Sequence, residues 1–457
     1  MNRTVAIFIT AAILALVALV LAKNGETTAP LPPPPVPGTV ASGGMTLSTS
    51  PSQSHVLVGA GEVFLDIALA APAAKHVKRV PLNIGLVIDR SGSMAGRKLQ
   101  NAREAATRLV SRLQEGDRIA IVTYGSDVTV LVPSTEITAE SRTRILSAIS
   151  TIVDRGGTFL SGGLERARDE VLRHDRRGMV NRVILISDGQ ANEGITSPGE
   201  LSTLARKTLS MGVNVTTMGV GLDFNEEVMT AMAEHGGGHY YFIENASAMA
   251  RFFTDELDTM TAVVAQTATL ELELEPQVDL LEIYGYTYER LGNRVVIKLP
   301  DLFSGQKRKV MCKVRVPASR EGKVAVGKMS LTFTDADSGK RHTLTSEAQV
   351  MITADEKLVE AGRDEEVLAK AEQVQAAQAM HSAMKAYAAG DVDRSRALLR
   401  KQIRRARTVN RRLKNKALGN AADEMEQQLE GTAAAPSSSA GRSLVKKGKY
   451  GAYKLFK

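Results

Sequence analysis

The chain has 457 residues, a net charge of +8, one Cys and no Trp. This length predicts two or three domains, and a single Cys excludes a fold held by intrachain disulfide bonds. The net charge says little about partners until its place in the chain is known.

The chain begins with a predicted targeting segment, residues 1–22. Arg3 precedes eighteen residues, Val5–Ala22, that are apolar except for Thr10. Such a stretch is long for the core of a secretory signal and just long enough to span a bilayer. We expect either a cleaved signal or a retained anchor in the inner membrane. Both predict export of the remaining chain to the periplasmic or extracellular face.

Residues 23–44 are predicted to be a linker, because Leu31–Pro37 is rich in Pro and favours an extended polyproline spacer. Residues 45–80 contain two apolar runs on either side of a turn with Gly59 and Gly61. This piece is too short to form its own core. We therefore expect its strands to pair with a later β-domain.

Residues 81–260 alternate strand and helix patterns, which predicts an α/β domain with a six-stranded, mostly parallel sheet between helices. The apolar run Ile84–Ile88 lacks polar alternation and ends at Asp89, as expected for a strand buried on both faces. Ligands bind at the carboxyl ends of such strands. There Asp89, Ser91 and Ser93 offer oxygen ligands of the type that Mg²⁺, Mn²⁺ and Ca²⁺ prefer.

The spacing Asp-x-Ser-x-Ser resembles the metal-ion-dependent adhesion site of von Willebrand factor type A domains. Two further elements of that family stand in the expected order, Thr158 after Gly156-Gly157 and Asp188 after an apolar strand. The resemblance covers roughly residues 81–258 and implies a doubly wound fold. It also implies that a divalent ion, Mg²⁺ or else Mn²⁺ or Ca²⁺, binds an Asp or Glu of a protein partner. The implied metal ligands are Asp89, Ser91, Ser93, Thr158 and Asp188. Arg90 departs from the small or apolar residue expected between Asp89 and Ser91, which leaves the selectivity of the site open.

Residues 261–353 change to the alternating pattern of half-buried strands, beginning with Leu270, Leu272 and Leu274 between Glu residues. This predicts an antiparallel β-sandwich that is completed by the strands of 45–80. The α/β domain would then be inserted into the sandwich. The arrangement is similar to that of inter-α-inhibitor heavy chains and of bacterial envelope relatives of calcium-activated chloride-channel regulators.

Residues 354–430 have a helix-forming composition, with a break at Gly390-Asp391 and a third piece starting at Gly419-Asn420. Residues 391–420 hold eleven Lys or Arg against two Asp. Residues 431–457 are predicted to be a basic flexible tail. The basic region favours either a solvated helix face or binding to anionic lipid or cell-wall polymer. Nucleic acid is not expected as a partner of an exported chain.

No pattern of catalysis stands out, and we predict that the chain is not an enzyme. His235 and His239 have a spacing seen in zinc sites, but the three Gly between them disfavour a helix. Ser91 and Ser93 lack the Gly-x-Ser-x-Gly turn of hydrolase nucleophiles.

The sequence thus predicts a divalent-cation-dependent protein-binding protein of the cell envelope, acting in adhesion or complex assembly. Two alternatives stay open. One is a structural envelope scaffold with a vestigial metal site that binds through its basic helices. The other is an accessory subunit of a ring ATPase, resembling the chelatase subunits that carry such domains, although those work in the cytoplasm.

Overall fold

The computed structural model describes residues 38–71, 79–174, 179–244, 252, 256–257 and 263–456. Within these residues, no helix is both long enough and apolar enough to cross a membrane. The predicted targeting segment, the Pro-rich stretch and most of a helix predicted at Met249–Leu257 lie outside the described residues.

The described chain begins with four strands: β1 (Gly38–Ser42), β2 (Met45–Pro51), β3 (His55–Leu57) and β4 (Glu62–Ala70). The predicted linker therefore ends too late, because β1 lies within 23–44 and pairs with β2 from Gly38↔Thr49 to Ser42↔Met45. The two-residue turn Gly43-Gly44 explains the difference. Both residues have positive φ, 55° and 73°, which suits a tight hairpin and favours Gly.

The chain then forms a six-stranded sheet in the order β10-β9-β8-β5-β6-β7. All neighbours in it are parallel except β6 and β7, which are antiparallel. The predicted α/β fold with a mostly parallel six-stranded sheet is thus confirmed, and its antiparallel pair lies at one edge. The strands are β5 (Leu82–Asp89), β6 (Arg118–Tyr124), β7 (Val128–Glu136), β8 (Val180–Ser187), β9 (Asn214–Val220) and β10 (Gly237–Ile243).

Helices cover both faces of this sheet. Successive side chains of β5 accordingly pack into two apolar cores, one on each face. Leu86 and Ile88 pack in the core that includes the first two helices, whereas Val87 packs in the core of the other three. On the latter face Gly85 lies so close to Ala167 that a Cβ would be 3.1 Å from its carbonyl oxygen. The helices are α1 (Arg97–Arg112), α2 (Ala139–Ser150), α3 (Leu160–Leu172), α4 (Pro198–Ser210) and α5 (Glu226–His235).

The remaining strands complete two further sheets. These strands are β11 (Val263–Leu274), β12 (Asp279–Tyr284), β13 (Glu289–Leu291), β14 (Arg294–Lys298), β15 (Leu302–Phe303), β16 (Lys307–Arg315), β17 (Gly322–Asp335) and β18 (Arg341–Thr353). One sheet has the order β1-β2-β4-β16-β12 and the other β13-β14-β11-β17-β18-β3, with β15 beside β11. The two sheets share one apolar core. The α/β domain is therefore inserted into a sandwich, between β4 and β11.

A buried ionic cluster connects the amino ends of the central strands with the sandwich. Arg182 in β8 is fully buried and pairs with Glu256, and its other terminal nitrogen is 4.0 Å from Asp301 of the sandwich. Glu256 also accepts hydrogen bonds from Thr216 at 2.6 Å and Tyr241 at 2.7 Å. These contacts fix one end of the α/β domain against the sandwich.

The chain ends in five helices: α6 (Glu356–Ala361), α7 (Glu365–Ala388), α8 (Val392–Leu413), α9 (Lys416–Gly431) and α10 (Ser439–Phe456). The break between α7 and α8 lies at Gly390 as predicted. The start predicted for the third piece, Gly419-Asn420, is wrong. Lys414 adopts a left-handed conformation that ends α8, and Asn415 caps α9 by accepting a hydrogen bond from the Leu418 amide at 2.9 Å.

The prediction of a flexible tail over 431–457 is also wrong, because α10 packs along α7 and α9. Its glycines permit close packing: a Cβ on Gly448 would lie 2.7 Å from Met384, and one on Gly451 would lie 2.0 Å from a carboxylate oxygen of Glu424. Its basic residues meet acidic groups of the α/β domain. Arg442 pairs with Asp223 at 2.9 Å, Lys447 pairs with Glu244 at 2.8 Å, and Lys446 pairs with Glu226.

Candidate metal-binding site

The candidate site lies where two adjacent parallel strands end. Asp89 is the last residue of β5, and Asp188 directly follows β8, its neighbour in the sheet. Ser91 and Ser93 lie in the turn between β5 and α1, whereas Thr158 lies in the loop before α3. Parallel strands present their carboxyl ends at one edge of a sheet, which brings these distant segments together.

Asp89 is fully buried, and both of its carboxylate oxygens accept hydrogen bonds. One accepts from the Ser91 amide at 2.8 Å and the other from the Ser187 hydroxyl at 2.7 Å. Burial raises the pKa of the Asp89 carboxyl, an effect that these hydrogen bonds oppose and the nearby Asp188 reinforces. Among the described residues, no basic side chain forms an ion pair with Asp89. The carboxylate therefore lies in a place where a nearby cation would stabilise it.

Hydrogen bonds through Ser91 and Ser93 connect Asp89 with Asp188. The Ser91 and Ser93 oxygens are 3.1 Å apart, and Ser93 donates a hydrogen bond of 2.7 Å to a carboxylate oxygen of Asp188. Thr158 adjoins this group: a Cβ built on Gly189 would be 3.3 Å from the Thr158 hydroxyl and 3.5 Å from that of Ser93. The structure thus brings together all five of the residues that the sequence nominated.

The loops that carry these residues are held by backbone contacts. The Gly92 amide donates to the Gly156 carbonyl at 3.1 Å, which joins the Ser91–Ser93 turn to the loop before Thr158. The Thr158 amide in turn donates to the Asn192 side chain at 2.8 Å. The hydroxyls are consequently held in place by the fold itself.

Arg90, whose role the sequence left open, turns to the side of the site. Its guanidinium binds both carboxylate oxygens of Asp127 at 2.8 Å, and the residue is 8% exposed. Arg90 therefore already has an acidic partner within its own domain. Its backbone carbonyl also accepts a hydrogen bond of 2.5 Å from the Arg155 amide, which holds the loop before Thr158 in place.

Lys98 is a residue of the site that sequence reasoning missed. It is the second residue of α1, and its ammonium group donates to the Asp188 carboxylate oxygen that Ser93 does not contact. The same nitrogen is 3.8 Å from a carboxylate oxygen of Asp223, a residue in the loop after β9. The one available signal was the position of Lys98, five residues after Ser93.

The donor set fits a hard divalent cation. Two carboxylates and three hydroxyls supply only oxygen, and each carboxylate oxygen that accepts one hydrogen bond keeps another lone pair. The ammonium group on the buried Asp188 also shows that this place in the protein attracts a positive charge. Asp89, Ser91, Ser93, Thr158 and Asp188 are the residues that would hold the ion.

His235 and His239 do not form a joint site in the structure. His235 lies at the end of α5, where its ring nitrogen is 2.9 Å from the Arg206 guanidinium. His239 lies in β10 and its ring nitrogen is 3.1 Å from Glu256. The two rings thus have separate partners.

Comparisons with known proteins give the same picture of the fold. Residues 83–255 match the family model of the von Willebrand factor type A domain. An uncharacterised Synechocystis protein is 28% identical over 62% of this chain and 68% of its own length. Human inter-alpha-trypsin inhibitor heavy chain H3 is 27% identical over 48% of this chain, but only 25% of its own length is matched.

A solved structure, the von Willebrand factor type A protein from Catenulispora acidiphila, covers 91% of this chain and 96% of its own, with a TM-score of 0.70 and 16% identity. At this identity the likeness concerns the fold alone, and it extends well beyond the α/β domain. With the strand order and the placement of Asp89 and Asp188, these matches lead to one conclusion. Residues 83–255 of this chain form a von Willebrand factor type A domain.

Proposed function

We propose that this chain is a divalent-cation-dependent protein-binding protein of the cell envelope that acts in adhesion or complex assembly, without catalysis. A von Willebrand factor type A domain suggests a role in protein interaction or adhesion. The observation that carries the dependence on a cation is the convergence of five oxygen-bearing side chains at one edge of the sheet, two of them buried carboxylates.

The charge of the donor set supports an acidic ligand. Asp89 and Asp188 would nearly neutralise a divalent ion, whereas Ser91, Ser93 and Thr158 add no charge. A bound Mg²⁺, Mn²⁺ or Ca²⁺ would supply an open coordination position that accepts a carboxylate oxygen. The chain's own residues orient the site, since the hydroxyls are fixed by the turn after β5 and by the loop before α3. We therefore propose that the partner docks through an Asp or Glu.

The proposed location rests on the amino-terminal sequence. Arg3 and the apolar stretch Val5–Ala22 favour export, with the described domains on the periplasmic or extracellular face. This supports a partner of the envelope and not a nucleic acid.

Capture of partners by the full chain from an envelope fraction tests the proposal. We expect capture in the presence of Mg²⁺ or Mn²⁺, loss on addition of a chelator, and recovery when excess Mg²⁺ is restored. An Asp154→Ala variant, altered at an exposed loop position outside the five proposed ligands, should behave like the parent. Capture that persists in the chelator with unchanged yield would overturn the dependence on a cation.

A second candidate function uses the basic face of α8. Several cationic side chains of this helix are exposed, and no acidic residue of the described part of the chain forms an ion pair with them: Arg394, Arg400, Lys401, Arg404 and Arg411. In contrast Arg405, on the side towards α7, pairs with Glu372. We propose that the exposed face binds an anionic surface, either lipid or cell-wall polymer. Sedimentation with anionic vesicles should decrease in an Arg400→Ser/Arg404→Ser variant and should not respond to the chelator.

A further inference from the structure

We propose that Lys98 is an intrinsic counter-cation of the metal-binding site, which competes with the divalent ion for Asp188 and transfers to Asp223 when the ion binds. The inference rests on the proposed function and names a residue that sets the affinity of the same site. Lys98 is a positioning residue here, because it would contact neither the ion nor the partner.

The first argument is the environment of Asp188. The Asp188 side chain is fully buried, whereas that of Lys98 is 30% exposed. Burial of a carboxylate costs free energy, since the group loses the water that would solvate it, and a nearby cation offsets part of that cost. Lys98 supplies this cation in the described structure. A divalent ion that used Asp188 would perform the same task, so the two cations would share one carboxylate and repel each other.

The second argument is that a second acceptor lies within reach. A carboxylate oxygen of Asp223 is 3.8 Å from the Lys98 ammonium, and the Asp223 side chain is 56% exposed. Gly221 directly follows β9, and a Cβ there would approach the Lys98 side chain to 3.3 Å. Without that Cβ, the lysine stem has room to move. Lys98 can thus leave Asp188 for Asp223 by a small rotation of its flexible end.

The third argument is that Asp223 is already part of an ion pair with Arg442 at 2.9 Å. Arg442 belongs to α10, the carboxyl-terminal helix. Asp188, Lys98, Asp223 and Arg442 therefore alternate in charge from the proposed metal ligand to the end of the chain. Transfer of Lys98 would bring a second cation to Asp223, and its exposed carboxylate has enough oxygens to accept both.

Titration of the full chain with MnCl₂ and MgCl₂ by calorimetry tests this inference in five variants. Lys98→Met removes the charge and keeps the apolar stem, and should tighten ion binding by about tenfold, since one competing cation is gone. Lys98→Gln serves as a second charge-free variant if Lys98→Met folds poorly by circular dichroism. Lys207→Met removes the same charge from an exposed position on α4 and should leave the affinity unchanged.

Asp223→Asn should weaken ion binding several-fold in the parent, because Lys98 then has no second acceptor. In the Lys98→Met background the same change should have a much smaller effect. An equal effect of Asp223→Asn in both backgrounds would mean that Asp223 acts through its charge alone, and would overturn the transfer.

The outcomes separate this inference from the proposed function. Ion binding by the parent with unchanged or weaker binding by Lys98→Met overturns the inference and leaves the proposed function standing. Binding by Lys98→Met but not by the parent supports the inference. Absence of ion binding from both proteins overturns both proposals.

Discussion

The buried carboxylate of Asp188 accepts hydrogen bonds from two groups, the hydroxyl of Ser93, 95 positions earlier, and the ammonium of Lys98. Each group contacts a different carboxylate oxygen. Because Asp188 follows the end of a strand and both of its oxygens make polar contacts, we expect substitution at this position to alter charge more than it alters the core.

We predict that Asp188→Ala reduces the affinity for Mg²⁺ and Mn²⁺ by about a hundredfold or more, since a charged ligand is lost. The fold should persist, because Lys98 is partly exposed and can turn to Asp223 and to water. Calorimetry measures the ion, and far-ultraviolet circular dichroism measures the fold. Asp154→Ala is the matched control. Unchanged ion affinity in Asp188→Ala would contradict the site assignment.

A second prediction concerns Ser93, whose hydroxyl is 2.7 Å from Asp188. Ser93→Asp places a third carboxylate there, so we expect the ion to bind at least as tightly as in the parent. The acidic partner should be lost, because the added anion occupies or repels from the open position. Ser93→Ala should weaken both kinds of binding, since one ligand is missing.

Ion affinity by titration and partner capture at saturating ion give the two readouts for Ser93. Undiminished partner capture by Ser93→Asp would show that no carboxylate of the partner docks on the ion. Binding through the basic face of α8 would then be the better interpretation.

The residues of the site could be predicted from the sequence where the backbone alone determines their place in the fold. Asp89 and Asp188 follow apolar strands, and strand ends of a parallel sheet meet at one edge. Their use as metal ligands stays a prediction. Lys98 and Asp223 were missed because their meeting depends on the path of a long side chain between segments 125 positions apart, and nothing in the local pattern encodes it.

At the scale of elements, α10 differs most from expectation. Its Gly residues and basic charge are typical of a flexible tail, yet the glycines fit against α7 and α9, and the charges meet acidic side chains. Tyr453 adds a further contact, since its hydroxyl accepts a hydrogen bond of 3.1 Å from the Tyr240 amide of β10. The acidic partners and Tyr240 come from segments more than two hundred positions away, so local composition could not reveal them.

Glu226 at the start of α5 is the main acidic partner of α10. Burial alone would raise its pKa, but the ammonium groups of Lys446 and Lys449 outweigh burial and lower the pKa to about 2. Burial lowers the pKa of Lys446, although Glu226 opposes this. Lys446 also donates to the Phe224 carbonyl and lies 3.9 Å from the Phe224 ring centre, contacts that suit an ammonium group.

We predict that docking of α10 is weakened by acid. A carboxylate whose pKa is lowered on folding stabilises the protein above its ordinary value near 4.5, and this contribution is lost as the pH falls towards about 2. Glu226→Gln should remove on the order of 2 kcal/mol of docking free energy at pH 7. Hydrogen exchange of the α10 amides measures it, with the exposed neighbour Glu227→Gln as control.

The expected result is faster exchange in α10 of Glu226→Gln at pH 7, after correction for the intrinsic rate, and little further change down to pH 3. In the parent and in Glu227→Gln, protection should decline as the pH falls below about 4.5. Equal protection of α10 in all three proteins would contradict this account of docking.

At the scale of the whole molecule, the sandwich depends on strands from both sides of the inserted domain. β4 lies between β2 and β16, paired with β16 over nine residues from Glu62↔Arg315 to Ala70↔Lys307. Its residues Val63, Leu65 and Ile67 are fully buried in the shared core. Alternating apolar residues in 261–353 allowed this β-domain to be predicted, whereas the pairing of individual strands required the structure.

We predict that deletion of residues 38–71 unfolds the sandwich, because it removes the centre of one sheet and exposes the core of the other. Limited proteolysis should then cut within 263–353 at least tenfold faster than in the parent. A deletion of residues 1–37 is the control and should digest like the parent. If both deletions digest alike in this region, the sandwich does not need the earlier strands.

The placement of β5 has a mechanical consequence. Its carboxyl end carries Asp89, where the proposed partner would pull, and its amino end follows β4 of the sandwich in the chain. A pulling force would therefore run along the strand from Asp89 to Leu82. Because β5 is hydrogen-bonded to β6 on one side and β8 on the other, the two ladders would be loaded lengthwise, with many hydrogen bonds bearing the load together. Under tension, the contact between the proposed partner and the site should therefore break before the domain unfolds. The lifetime of the complex should then be set by that contact.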